Sequence, residues 1–392
     1  MEQTRNIANT GLRGVTIAST RISDVDGKAG RLIYRGYPAK DLAGKATFEE
    51  TAFLLLYEKL PDAGELEGFS RRLHREHALP PDMLAALKTR PAAAQPMDIL
   101  QSAVCMLAHH DPNVGDGSRE AALNMGIRLI AAFPTVVAGW DRIRRGQAPL
   151  PPDPELGHAA NFLYMLSGRR PDSETARFFD TCLVLHAEHA FNASTFAARE
   201  VASTQAHMYA AVAAGVGSLS GALHGGANTR VMKMLEQIAR PENVDAYVNQ
   251  TLAAGGKIMG LGHAVYQTDD PRAHILAPMS KTMGERLGDT RWYDLSRDLE
   301  KKAKAAFLAQ KGREIYVNVD FYSASLYHYM GIPTDLFTPV FAVARIAGWA
   351  AHVLEEQFAE AAPKPALYRP ESDYIGEYCG PAECDFIPMD QR

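Results

Sequence analysis

Apolar residues recur at helical spacing in one segment of this chain after another, and most of these segments are bounded by Pro, Ser, Asp or Gly. "PMDILQSAVCMLAHH", "SREAALNMGIRLIAAF", "PPDPELGHAANFLYML" and "DSETARFFDTCLVLHAEHAF" all have this form. Such a chain can bury its apolar stripes only by packing helix on helix, so the pattern predicts an all-α fold. Thr47 and Glu50 make the T-x-x-E pattern of a capping box, ahead of an apolar run that stops at "KLP". "ENVDAYVNQTLAAGG" ends on a glycine stop. Further helices are expected near 292–310 and 323–330, and a long apolar one from about Pro339 to Glu356. "AHMYAAVAAGVGSLSGAL" is rich in Ala and Gly, which permits close helix–helix approach in the core or at a subunit interface. Two pieces break the helical pattern. "SDVDGKAGRLIYRGYPAKDL" reads as a small hairpin near the start, and "EIYVNVDF" is the one late stretch with β character.

The length of 392 residues is ample for a sizeable core and suggests two or three domains as a prior. No internal repeat, low-complexity segment or flexible linker is visible. A net charge of -5 gives no global reason to bind nucleic acid, so any anionic ligand must be held by locally placed cations. The opening "MEQTRNIANT" has no apolar signal region, and no uninterrupted apolar run looks long enough to span a bilayer; a cytoplasmic location is expected. Cys105 and Cys182 fall in apolar helical patterns and are expected in the core. Cys379 and Cys384 form a C-x4-C without a second pair, so reduced thiols are expected.

Several polar residues stand where helix patterning does not call for them. Arg345 lies in "TPVFAVARIAGWAAHV", and burying an unpaired guanidinium costs several kcal/mol. It either meets an internal carboxylate or grips a ligand carboxylate on the floor of a cleft. His186 and His189, three apart, suit satisfied core histidines better than metal ligands, since their spacing is not H-E-x-x-H. His109 and His110 close a helix and complement its dipole. His224 in "GALHGGANTRVMKML" precedes two glycines and a helix start, whose dipole favours a neutral imidazole able to donate to a carbonyl. Asp320 in "YVNVDFYSAS" is either an N-cap or a carboxylate desolvated by Val319 and Phe321, as a general base requires.

The stretch "GGKIMGLGHAVYQTDDPRAHIL", residues 255–276, combines glycines, His263 and Arg272. Asp270 and Pro271 are a good N-cap and N1 pair, which puts Arg272 in a first helical turn where a cation is disfavoured unless an anion joins it. The glycines match neither the phosphate-loop nor the G-x-G-x-x-G pattern, which argues against a nucleotide loop. Loop histidines, one aspartate among apolar residues and several arginines suit carbon–carbon bond formation through an enolate. A base takes a proton beside a carbonyl, a neutral donor holds the enolate oxygen, and arginines orient a polycarboxylate.

The chain resembles the citrate synthase family in its short bacterial and archaeal form, over nearly its whole length. The resemblance runs through "GLRGV…ISDVDGKAGRLIYRGYP", "HAEHAFNASTFAAR", "LHGGAN", "IMGLGHAVYQTDDPRA", "NVDFYSA" and "LFTPVFAVARIAGWAAHVLEE". It implies a nearly all-helical obligate homodimer. A large domain, residues 1–221 and 332–392, would carry a small domain, residues 222–331, that closes over the active site. It implies no metal and no tightly bound cofactor, with coenzyme A arriving as the acetyl-CoA substrate. By motif, His224 would donate to the acetyl-CoA thioester carbonyl and Asp320 would take the methyl proton. His263 would bind and protonate the oxaloacetate keto oxygen. Arg272, Arg345 and His189 would hold oxaloacetate, with Arg369 of "YRPES" reaching across from the partner subunit. The segment Gly256, Lys257, Ile258, Met259 and Gly260 would lie along coenzyme A, with Lys257 nearest a phosphate. The extra domain of the long, NADH-regulated form is absent, so that regulation is not expected.

Where many bacterial relatives read "GHRVYK", this chain has Ala264 and Gln267, and two candidate cationic contacts to coenzyme A are missing. The cysteine-bearing tail is also less usual for the family. A 2-methylcitrate synthase taking propionyl-CoA is the nearest alternative, because one methylene is worth only about 1–3 kcal/mol in a pocket. A non-catalytic relative binding oxaloacetate or coenzyme A is disfavoured by the joint presence of His224, His263 and Asp320. A metal-dependent hydrolase built on "HAEH" lacks further ligands.

Overall fold

The structure is a computed structural model that describes residues 11, 12, 14–376 and 387–392; Cys379 and Cys384 lie outside them. It opens with a three-stranded antiparallel sheet, β1 Ser23–Asp26, β2 Arg31–Tyr34 and β3 Tyr37–Pro38, paired in sequence order. The hairpin expected from the sequence thus gains a third strand. Arg35 and Gly36 both adopt positive φ, +45° and +89°, the pairing a two-residue hairpin turn needs.

Helices follow. They are α1 Ala39–Leu42, α2 Phe48–Tyr57, α3 Ala63–Glu76, α4 Pro81–Lys88, α5 Pro96–His109 and α6 Arg119–Arg144. Next come α7 His158–Ser167, α8 Ser173–His186, α9 Ala193–Ser203 and α10 Met208–Ser220. The last group is α11 Ala227–Ile238, α12 Val244–Ala253, α13 Pro271–Leu287, α14 Arg291–Lys311, α15 Val319–Tyr329 and α16 Phe337–Gln357. The capping box at Thr47 and Glu50 starts α2, and Asp270 caps α13 with Pro271 at its first position. Helix α15 begins earlier than its apolar pattern suggests, because the Asn318 side chain accepts from the Asp320 N–H at 3.1 Å and caps it. The β-like "EIYVNVDF" forms no strand there; it contributes one bridge pair, Val317 with Leu261.

Helices α6 and α16 cross at the centre of one continuous apolar core. Both are long and apolar enough to span a membrane by length and composition, contrary to the reading of the sequence, yet 89% of each apolar window is buried against other helices. Helices α11 to α15 pack largely on one another, α13 against α14 and α15, α11 against α15, and α12 against α14. Cys182 is buried as expected, whereas Cys105 is exposed on α5, because an amphipathic helix turns one position in every few towards solvent.

Glycine decides two close approaches. Gly215 on α10 lies where a Cβ would be 3.3 Å from the Ser194 carbonyl oxygen and the Trp349 ring. Gly348 on α16 donates its N–H to the Ala187 carbonyl at 3.2 Å, and a Cβ there would sit 2.2 Å from Glu188 Oε2. The loop after α8 can therefore lie directly on α16. Gly348→Ala should destabilise the protein by about 1–3 kcal/mol in denaturant unfolding. Gly68→Ala, in the open on α3 with nothing within 4 Å of the new carbon, should instead be neutral or stabilising by up to about 1 kcal/mol.

Candidate active site

The loop between α12 and α13 is held in place by backbone pairing with the segment before α15. Gly262 N–H donates to Tyr316 O at 2.7 Å, Asn318 N–H to Gly260 O at 2.9 Å and Asp270 N–H to Val317 O at 2.9 Å. Asn318 Nδ2 adds a bond to Gly262 O at 3.0 Å. Gly260 has φ +78°, and a Cβ on it would meet Phe321 Cδ2 at 2.7 Å, so the sequence must be glycine where this loop crosses α15. The β1–β2 turn presses on the loop from the other side of the chain. Gln267 N–H donates to Gly27 O at 2.8 Å, and a Cβ on Gly27 would lie 2.1 Å from Val265 O.

This scaffold fixes His263. Its Nδ1 accepts from the backbone N–H groups of Val265 at 3.0 Å and Tyr266 at 3.1 Å. Backbone amides can only donate, so Nδ1 carries the lone pair and the neutral ring presents an Nε2–H. Burial, then the Arg272 guanidinium, lowers its pKa to about 4. The His189 and Tyr266 rings lie 5.3 and 4.6 Å from it, centroid to centroid. His189 is held well below its ordinary pKa by burial and by Arg272. Both His189 Nε2 and Tyr266 Oη are buried without a hydrogen-bond partner, the kind of debt a bound polar ligand settles.

His224 sits two residues before the α11 N-cap, Gly226. Its Nε2 accepts from the Ser194 backbone N–H at 3.2 Å and lies 2.8 Å from Ser194 Oγ. By the same argument this ring carries its proton on Nδ1, and that N–H meets no acceptor among the described residues. Its pKa falls to about 4 through burial first and Arg345 second, which keeps it neutral. Ser194 is itself fixed, bonded to Asn192 Oδ1 at 2.8 Å and accepting from Trp349 Nε1 at 3.2 Å.

Asp320 is not the N-cap, which is Asn318; it occupies the first turn of α15 with its carboxylate in no hydrogen bond or ion pair among the described residues. Burial raises its pKa to about 6, against the opposing pull of Arg272. It lies within the electrostatic reach of both Arg272 and Arg345.

The two arginines differ. Arg272, 3% exposed, is bound edge-on by its own N-cap: Nε donates to Asp270 Oδ1 at 3.0 Å and Nη2 to Oδ2 at 2.7 Å. The anion expected beside this first-turn cation is thus partly supplied within the chain, at a spacing of two residues. Arg345, 1% exposed, has no carboxylate within ion-pair distance among the described residues. It donates Nε–H to His186 O at 2.8 Å and lies 4.5 Å from the centre of the Phe341 ring. Burial lowers its pKa to about 10, which leaves it charged near neutrality. The internal salt bridge weighed for Arg345 is absent from the described residues.

Other candidates fall further out. Gly256 and Lys257 are exposed, but Ile258 at 5% exposure and Gly260 face the interior, so that half of the segment can offer a ligand only its backbone. Ala264 and Gln267 are exposed. Arg369 is exposed on the tail after α16 and does not join this cluster.

The family described as "Citrate synthase, C-terminal domain" matches residues 11–371. The chain belongs to the citrate synthase family. It is 42% identical over 389 residues to a citrate synthase of Acidithiobacillus ferridurans, covering 97% of this chain and 98% of that one. A 2-methylcitrate synthase of Shewanella oneidensis is 36% identical over 379 residues, covering 96% of this chain and 97% of that one. The crystal structure of citrate synthase from Pyrobaculum aerophilum is 39% identical with a TM-score of 0.89, over 97% of this chain and 95% of that one. The citrate synthase of Thermoplasma acidophilum, solved as a ternary complex with carboxymethyl coenzyme A and oxaloacetate, is 29% identical with a TM-score of 0.89, over 98% of this chain and all of that one. The chain is accordingly a condensing enzyme of the citrate synthase type.

Sequence reasoning missed the ions behind this site. Glu188, fully buried, accepts from Ser23 Oγ at 2.9 Å and lies 3.0 Å from His352 Nε2. Burial pushes its carboxyl up, yet His352 and Arg345 outweigh that and hold it below its ordinary pKa. The only signal in the sequence was an acid inside an apolar stretch, "HAEHAF".

Asp320 binds its proton more tightly folded than unfolded, so it subtracts stability as pH rises from 3.8 through about 6. Removing the charge with Asp320→Asn should stabilise the enzyme at pH 8 by roughly 1–3 kcal/mol, and leave stability at pH 4 nearly unchanged. Thermal unfolding at the two pH values checks both the sign and the window.

Proposed function

We propose that the enzyme condenses acetyl-CoA with oxaloacetate and hydrolyses the resulting citryl-CoA to citrate and coenzyme A. The observation that carries this is the division of protonation states across one cluster. Asp320 is a carboxylate without a hydrogen-bond partner among the described residues, its pKa about 6, and His224 and His263 are neutral rings whose proton-bearing nitrogens are opposite to those pinned by backbone amides.

In this reading Asp320 removes a methyl proton from acetyl-CoA while His224 donates its Nδ1–H to the thioester oxygen. A neutral donor suits an enolate better than a charged one, because it stabilises the oxygen without protonating the thioester beforehand. The nucleophilic carbon attacks the keto carbon of oxaloacetate, and His263 donates Nε2–H to the keto oxygen and passes the proton to the new alkoxide. Water then cleaves the citryl thioester. Arg345, with no carboxylate of its own, and the outer edge of Arg272 take the oxaloacetate carboxylates, and His189 Nε2 adds a further bond.

A homodimer completes the site with the partner's Arg369. Residues 222–331 form the smaller unit that closes on the rest and excludes water until condensation is done. The contact between the β1–β2 turn and the 263–270 loop is the natural place for that closure to be held. Gly256, Lys257 and the backbone to Gly260 lie along coenzyme A, with less cationic support than relatives that carry Arg and Lys in place of Ala264 and Gln267. None of these steps calls for a metal ion.

Thiol release in the presence of oxaloacetate tests the reading directly. Acetyl-CoA should be turned over with a kcat/KM well above that of propionyl-CoA; the reverse preference would assign 2-methylcitrate synthesis, and no release from either would end the enzymatic reading. Asp320→Asn should lower kcat by about 10²–10⁴-fold while oxaloacetate still binds by calorimetry. In the parent enzyme kcat/KM for acetyl-CoA should fall as pH drops through about 6, since the base must be ionised to act. A profile flat from pH 7.5 to 5 would remove Asp320 from the role.

A further inference from the structure

We propose that Tyr368 is a positioning residue whose hydrogen bond to the buried Glu356 fixes the tail so that the next residue, Arg369, is presented to the oxaloacetate site of the partner subunit. The inference rests on the in-trans role of Arg369 given above and supplies the device that makes it work.

The tail after α16 needs an anchor. From Ala362 to Leu367 every residue is exposed, so this stretch has almost no packing to hold a long charged side chain at a fixed place. Tyr368 interrupts that exposure. Its Oη–H donates to Glu356 Oε2 at 2.7 Å, its N–H donates to Ser203 Oγ at 3.2 Å, and its ring lies 5.9 Å from that of Phe196. Pro370 follows Arg369 and biases it away from the helical region, towards extended backbone that carries its side chain off the protein. The tail is therefore pinned at one residue and directed outward at the next.

The anchor point is rigid because it is the last member of a buried chain of ions. Arg199 bridges Glu356 at 2.5 Å and Glu355 at 2.7 Å, reaches His352 Nδ1 at 3.0 Å, and stacks 4.6 Å from the Phe191 ring centre. His352 in turn faces Glu188, the neighbour of His189, at 3.0 Å. Arg199, Glu355, Glu356 and His352 are all at most 7% exposed. A phenol seated on that chain cannot drift without breaking a charge-assisted hydrogen bond.

The test is a set of mixed dimers. Tyr368→Phe keeps the ring and removes the one hydroxyl, and should raise KM for oxaloacetate about tenfold while KM for acetyl-CoA and the melting midpoint change little and kcat falls less than about threefold. Differently tagged chains are then co-expressed and purified through both tags. In a dimer of a Tyr368→Phe chain with an Asp320→Asn chain, the one working site receives an intact tail, and KM should return to the parent value. In a dimer of a parent chain with a chain carrying both substitutions, the one working site receives the loosened tail, and KM should be raised. The opposite pattern, or an unchanged KM in Tyr368→Phe homodimers, overturns the proposal. Arg369→Ala separates this from the reading beneath it. If that variant also leaves KM for oxaloacetate unchanged, or if the two tags do not co-purify, the in-trans arginine itself fails. If Arg369→Ala raises KM and Tyr368→Phe does not, only the anchor fails.

Discussion

Two guanidinium groups, Arg272 and Arg345, are buried at the site with only one carboxylate bound to them among the described residues, and most of the site's properties follow from that imbalance. Arg272 has Asp270; Arg345 has a backbone carbonyl and an aromatic face. The surplus positive field adds to burial in holding His186, His189, His224 and His263 neutral. It also restrains Asp320, whose desolvation still wins. A dianionic substrate is the missing counter-charge, so binding it would relieve a cost already built into the fold. The chemistry then proceeds among groups whose protonation the protein has already set.

Pinning by backbone amides is the second recurring device. A side-chain partner could accept or donate, but an N–H can only donate, so one such contact fixes which imidazole nitrogen is free. His263 receives two and His224 one. Each contact depends on a loop conformation that glycine permits, at Gly260 and Gly262 in one case and beside Gly225 and Gly226 in the other. The glycines that sequence inspection reads as room for a ligand serve at least as much to seat the loops. A Cβ on Gly225 would lie 1.8 Å from the Leu219 carbonyl oxygen.

Much of the fold was legible in the sequence because amphipathic helices announce themselves by period and by capping residues. Thr47 with Glu50, and Asp270 with Pro271, begin helices where the sequence places them. The misreadings are of one kind. Asn318 takes the N-cap position that Asp320 could have held, Cys105 faces out of an apolar helix, and the β-like "EIYVNVDF" pairs with the loop around Gly260 to Gly262 rather than with a strand. In each, a local pattern offered two outcomes, and only the folded backbone shows which was taken.

The sequence alone determined that helices would dominate, that a charged residue would be stranded in an apolar one at Arg345, and that His224, His263, Arg272 and Asp320 would stand at helix starts and loops, where a ligand can be reached. These are matters of period, composition and local backbone preference, which act over a few residues. Only the tertiary structure decided which imidazole nitrogens are free, that Asp270 neutralises Arg272, that Arg345 meets no carboxylate among the described residues, and that Tyr368 is tied to the ions beneath His352. Those depend on distances between segments far apart in the chain, and on the loss of water around them. Electrostatics in a low-dielectric interior is set by what is nearby in space, which no local pattern records.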